Sequence, residues 1–203
     1  PKPSSAASDV YKRQISDLPF NIASTIEDVD TLIPFRQFTT YYLYSYADDC
    51  NIFLPKLEQY IKNQESLIWD RAGKPTCVGM QSHELILGAN NDVIIDLTNR
   101  LKPLITEFVQ SFPLLIKMCN SRDFQNKLSG WGVVLSKAGY QKRHIHPEAI
   151  VSGVVYIKLS DECIDQSLSG GNLLLHSYQN DVMITPNEGL VVLFPSYLAH
   201  ETI

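Results

Sequence analysis

Basic residues are few and dispersed in this chain of 203 residues: lysine and arginine number 17 against 22 aspartates and glutamates, a formal net charge of -5. Adjacent cations occur only at Lys12-Arg13 and Lys142-Arg143. A nucleic-acid-binding surface needs a basic excess to neutralise phosphates, so that class of partner is not expected. Long apolar runs are missing too. Nothing approaches the ~20 residues of a membrane span, and no signal-peptide pattern is read in the sequence. Cysteine is sparse: Cys50, Cys77, Cys119 and Cys163 make no CxxC pair, which indicates neither a zinc knuckle nor a disulfide scaffold. The setting expected from this is reducing and cytoplasmic. Internal repeats are absent.

What remains is enough to build a core. Hydrophobic residues make up 44% and charged residues 19%, the composition of an ordinary globular protein of one domain, or one domain with an extension. The two ends are abrupt. Residues 1–14 close on Asp9-Val10-Tyr11-Lys12-Arg13-Gln14, which reads as the in-frame translation of a sequencing-library adaptor. The other end stops at Glu201-Thr202-Ile203. Both are expected to be artificial, the sequence being a fragment.

The texture divides the remainder. Residues 15–126 read as a mixed, mainly helical region: Leu54, Leu57, Tyr60 and Ile61 recur at helical spacing, as do Val93, Ile94, Leu97, Leu101, Leu104, Ile105 and Phe108, with Pro113 and Asn120 as punctuation. Residues 127–203 alternate short β-branched or aromatic runs with turn residues. Strands are expected over 131–135, 151–159, 172–176, 181–185 and 190–194, broken by Ser169-Gly170-Gly171 and Pro186-Asn187-Glu188-Gly189. The class is α+β: an antiparallel sandwich or jelly roll preceded by helices.

Chemistry concentrates in the strand-rich part, in His144-Ile145-His146-Pro147-Glu148 and in the later His200. Residues i and i+2 of an extended segment face the same way. Either His144 with His146, or His146 with Glu148, therefore presents two ligands side by side, and His200 supplies a third. Imidazole and carboxylate suit a divalent first-row metal, and three ligands on one face leave positions open.

Several ordered blocks carry a resemblance: Gly139-Tyr140-Gln141 leading into His144-x-His146-Pro147, then Ser152-Gly153-Val154-Val155-Tyr156-Ile157, Gly171-Asn172-Leu173, Pro186-x-x-Gly189, and Leu193-Phe194-Pro195-Ser196-Tyr197-Leu198-x-His200. This stretch, about 129–203, resembles the 2-oxoglutarate- and iron(II)-dependent oxygenases of the prolyl-hydroxylase-like superfamily. The resemblance implies a double-stranded β-helix, iron(II) as the metal, and 2-oxoglutarate and oxygen as cosubstrates. It also implies a hydroxylation whose substrate is a protein side chain, an amino acid or a small metabolite. His200 matches the family's distal ligand, the His-x-His or His-x-Glu segment its proximal pair, and Tyr156 a tyrosine that binds the far carboxylate of 2-oxoglutarate. The arginine that normally grips the same carboxylate bidentately has no counterpart up to Ile203.

Two ligand registers stay open: His144, His146 and His200, which is preferred because the HxHP string demands no acid after it, or His146, Glu148 and His200. Two other functions are also open. One is a cupin-like three-histidine dioxygenase that needs no 2-oxoglutarate; the other is a catalytically inactive jelly-roll binding module. Trp131 is read as a core residue, with lining the pocket as the alternative. His176 is read as facing solvent or the cavity, and His83 as a loop residue. Neither is taken as a ligand. The cysteines are read as buried or inert thiols, and Gly153, Gly171 and Gly189 as serving turns and tight backbone passages.

Overall fold

The computed structural model describes residues 38–43, 50–112, 115–116, 127–164, 170–176 and 180–203. The opening segment 1–14, the stretch that follows it to residue 37, and Pro113, Cys119, Asn120 and Ser169 lie outside them. In chain order the elements are β1 (Thr39–Tyr42), α1 (Cys50–Lys62), β2 (Ile68–Trp69), β3 (Thr76–Gln81), α2 (Asp92–Gln110), β4 (Val133–Gln141), β5 (Val151–Val155), α3 (Asp161–Ile164), β6 (Leu173–His176), β7 (Val182–Ile184), β8 (Leu190–Pro195) and β9 (Ala199–Thr202).

The two helical periodicities are the two long helices. On α1, Leu54, Leu57 and Ile61 point inward. On α2, Ile94, Leu97, Leu101, Leu104 and Phe108 form one buried stripe. The start of α2 is set by Asn91, whose side-chain oxygen accepts from the Val93 amide at 3.0 Å, and by Asp92 in the first turn, favourable at the positive end of the helix dipole.

The strands form three antiparallel sheets, ordered β1-β8-β5, β2-β3-β4 and β7-β6-β9. Strand β8 decides how the layers stack. All six of its residues are buried, so both of its faces are covered. Val191 and Leu193 face the cluster made by α1 and α2, while Leu190, Val192 and Phe194 join Leu173, Leu175 and Ile184 of β6 and β7. The order across the molecule is therefore helices, the β1-β8-β5 sheet, then the β7-β6-β9 sheet. Each fully buried Leu or Phe in these layers contributes about 1.5–3 kcal/mol.

Four expected strands recur as β5 to β8, and β4 falls on the fifth. Strand β4 runs on to Gln141 because β3 pairs along it, and β5 stops at Val155, earlier than 159. The mainly helical region also holds three strands, β1 to β3, and β1 pairs with β8 from Thr39↔Leu193 to Tyr42↔Leu190. The β3-β4 pairing slips between Cys77 and Gly79, where Val78 takes φ 52 and Ala138 φ 59. Gly171 (φ 75) and Gly189 (φ 79) turn the chain in the left-handed region, and Gly153, within β5, serves a tight passage, since a side chain there would meet Leu193 at 2.7 Å. Among the described residues, no helix is long and apolar enough to cross a membrane.

Candidate metal centre

His144 and His200 are brought together by the backbone. The His144 amide donates to the His200 carbonyl at 3.0 Å, and the His200 amide returns a bond to the His144 carbonyl at 2.9 Å. Residues that exchange both bonds in an antiparallel pair stand directly opposite, with side chains on the same face. His146, two residues on, is fixed by its amide to the Ser196 carbonyl at 3.1 Å. The turn that delivers His200 is closed by the Leu198 amide on the Pro195 carbonyl, and the Ser196 amide bonds the Ile150 carbonyl. The Ser152 and Ser196 hydroxyls meet at 2.7 Å beneath that turn.

The three rings consequently converge. Centroids lie 4.2 Å apart for His144 and His200, 4.9 Å for His144 and His146, and 5.1 Å for His146 and His200. One ring nitrogen from each lies within 4.8 Å of the others, and this is the single such group of histidine, cysteine and carboxylate ligands among the described residues. Glu148 is not in it. Pro147 and Glu148 form a turn, with the Ala149 amide on the His146 carbonyl at 3.2 Å, and Glu148 is exposed.

The electrostatics keep the rings neutral. Burial pushes His200 down to about 3, helped by the adjacent His144. Burial, then His144, then Lys74 push His146 down to about 4. Burial lowers His144 as well, against the opposing pull of the Lys142 carbonyl. Nδ1 of His144 faces that carbonyl at 2.7 Å, and Nδ1 of His200 faces the Leu198 carbonyl at 3.0 Å. A neutral imidazole that donates from Nδ1 carries its lone pair on Nε2, so both rings are oriented and held in the tautomer a metal requires. A divalent metal that accepts imidazole fits this donor set.

The flanks of the triad differ. On one side Phe194, fully buried, packs its ring 4.7 Å from His200. Phe194 belongs to the same cluster as Tyr156, whose hydroxyl donates to the Gly171 carbonyl at 3.2 Å. Burial, with Cys163 nearby, raises the Tyr156 phenol far above its usual range, so it remains a donor. On the other side Trp131 lies 5.5 Å from His146 and is 38% exposed.

Trp131 is therefore not a core residue but a wall beside the triad, the alternative reading of it. Its neighbours explain why. A side chain on Gly130 would come within 2.5 Å of Ile86, and one on Gly132 within 2.5 Å of Ile61, so the flanking positions are packed inward and Trp131 projects out. Backbone bonds fix the segment on both sides. The Leu85 amide reaches the Gly130 carbonyl at 2.7 Å, the Ser82 amide the Gly132 carbonyl at 3.0 Å, and the Gly132 amide the Ser82 hydroxyl at 2.9 Å. Glu84 gathers the amides of Ile86, Leu87 and Gly130 and the Ser129 hydroxyl. Burial alone would raise this carboxyl, but those donors outweigh it and hold it below its usual range.

His176 does not face solvent. It is buried between two carboxylates, with Nδ1 3.0 Å from Asp181 and Nε2 2.8 Å from Glu201, and it stands outside the triad. His83 is an exposed loop residue, and Cys77 and Cys163 are free and half-buried.

Known proteins resemble this chain in part of its sequence and in its fold. The model of the family described as "Putative 2OG-Fe(II) oxygenase" matches residues 129–203. Among solved structures, the chain is similar to a prolyl-4-hydroxylase from Pseudomonas putida, 14% identical, with a TM-score of 0.57 over 86% of this chain and 88% of that one. It is also similar to a prolyl hydroxylase from Trichoplax adhaerens in complex with a hypoxia inducible factor oxygen degradation domain peptide fragment, 15% identical, with a TM-score of 0.53 over 99% and 87%. No curated protein matches the chain in sequence. The family model spans residues 129–203, which contain all three histidines, and the likeness to the two hydroxylase structures is a likeness of fold.

Proposed function

We propose that the chain is a cytoplasmic hydroxylase in which His144, His146 and His200 hold iron(II) on a double-stranded β-helix. The observation that carries this is the convergence of three neutral imidazoles, two of them locked with Nε2 free, within 4.8 Å. Iron held there supplies the activation of oxygen that couples conversion of 2-oxoglutarate into succinate and carbon dioxide to hydroxylation of a substrate C–H bond. The chain does the positioning. Tyr156, once its hydroxyl turns from the Gly171 carbonyl, offers its phenolic proton to the far carboxylate of 2-oxoglutarate, and Phe194 keeps water from the interior flank. Three neutral ligands cancel none of a divalent ion's charge, which favours a dianionic cosubstrate at the same centre.

Anaerobic titration with iron(II), with and without 2-oxoglutarate, tests the proposal. A visible charge-transfer band that needs both components and vanishes in His200→Ala is expected, with iron affinity falling about a hundredfold or more, beyond what loss of an outer partner costs. Glu148→Gln separates the registers. Near-full affinity supports the three-histidine set, and a large loss supports His146, Glu148 and His200. The all-histidine set also favours a second reading, a cupin-like dioxygenase that does not use 2-oxoglutarate. That reading predicts iron binding without succinate.

A further inference from the structure

The two flanks of the triad are unequal in access, and the open one carries charge. Phe194 on the His200 side is sealed in the core, whereas Trp131 on the His146 side is held rigidly in view of solvent. A large apolar ring fixed in an exposed position by two packed glycines and bonded backbone is a built wall, since a loose surface aromatic needs none of that support. Lys74 stands over this ring, its ammonium 5.9 Å from the centroid. Its loop is pinned as well: Arg71 donates to the Ser82 carbonyl at 2.7 Å, the Lys74 amide to the Arg71 carbonyl at 3.1 Å, and the Lys142 amide to the Pro75 carbonyl at 2.8 Å. Lys142 and Arg143, both exposed, lead directly into His144, against the one acid Glu148 in the following turn. Among the described residues no carboxylate forms an ion pair with Lys74.

We propose that Trp131 and Lys74 form the substrate-selecting mouth of the centre, and that they select a substrate with a carboxylate close to the carbon presented at His146. The ring packs against the apolar body of the substrate, and the ammonium pairs with the carboxylate. The inference rests on the oxygenase reading of the triad, because it takes the open flank as the side from which substrate arrives.

The test uses the full-length protein carrying Trp69→Phe, so that Trp131 is the reporting indole. The probes are twenty N-acetylamino acids and the same twenty as primary amides, titrated with manganese(II) present and metal uptake measured in the same samples. Acids are expected to perturb Trp131 emission with affinities about fivefold better than the amides, the upper range for a partly exposed ion pair. Lys74→Ala should erase that preference while leaving amide binding unchanged, and Lys74→Arg should keep it. Equal binding of acids and amides, or no response to either while metal is bound, overturns the proposal alone. A Lys74→Ala variant that weakens 2-oxoglutarate and not the acids also overturns it, since Lys74 would then grip the cosubstrate. Failure to take up metal overturns the underlying reading and this inference with it.

Discussion

Strand β8 and the β2-β3-β4 sheet stand at opposite extremes of the same molecule. β8 has six buried residues and regular pairing on both edges, Thr39–Tyr42 on one side and Val151–Val155 on the other. The β2-β3-β4 sheet exposes Ile68, Trp69, Val78 and Tyr140, and its register slips at a β-branched residue with positive φ. Such backbone is costly for valine and persists where surroundings impose it. The triad sits between these regimes. His200 comes off the turn that ends the dry strand, while His146 faces Trp131, which enters the open sheet. Rigidity is supplied from one side and access from the other.

Substitutions can break this contrast, and the largest effect belongs to the dry side. Phe194→Ala removes a fully buried ring shared by the core and His200, and should cost about 3–5 kcal/mol in urea unfolding while also weakening metal uptake. Next is Gly132→Ala, whose methyl meets Ile61 at 2.5 Å. About 1–3 kcal/mol of overpacking is expected, with a change in Trp131 emission reporting the displaced wall. The smallest is Glu84→Gln. Glu84 is largely exposed, so about 0.5–1 kcal/mol is expected near neutral pH. Its sign is fixed by the lowered carboxyl. The folded protein binds this proton less readily than the unfolded chain, so the stabilisation is full above the unfolded value of about 4.3 and fades as pH falls through the folded one. Unfolding midpoints of wild type and Glu84→Gln should therefore converge in acid. A gap that widened there would sink the account of how the Trp131 segment is anchored.

The helices and the triad were legible because their signals are local. Apolar residues three and four apart mark α1 and α2, and the HxHP and Phe-Pro-Ser-Tyr-Leu-x-His strings mark the three histidines that converge. Strand β3 was hidden because Thr76-Cys-Val-Gly-Met-Gln81 buries polar ends: the Thr76 hydroxyl donates to Gln81 at 2.8 Å. The exposure of Trp131 depends on Ile61 and Ile86, both distant in sequence. The environment of His176 likewise depends on Asp181 and Glu201, which only the folded β6-β7-β9 sheet brings to its two nitrogens. Pattern reading sees faces along a segment; it does not see which remote side chain fills the space beside it.

The double-sided burial of β8 bears on how the protein folds. The strand is the centre of the sheet between the helical cluster and the second core cluster, so residues 191 and 193 dock on one partner while 192 and 194 dock on the other. Neither docking can finish while the strand is unplaced, and its pairings span most of the described chain, from Thr39 to Pro195. Contacts of such sequence separation form slowly. The helices can form early from local contacts, but binding competence at the centre should arrive only with the final cooperative step, so refolding followed by metal uptake should lag behind refolding followed by helical signal.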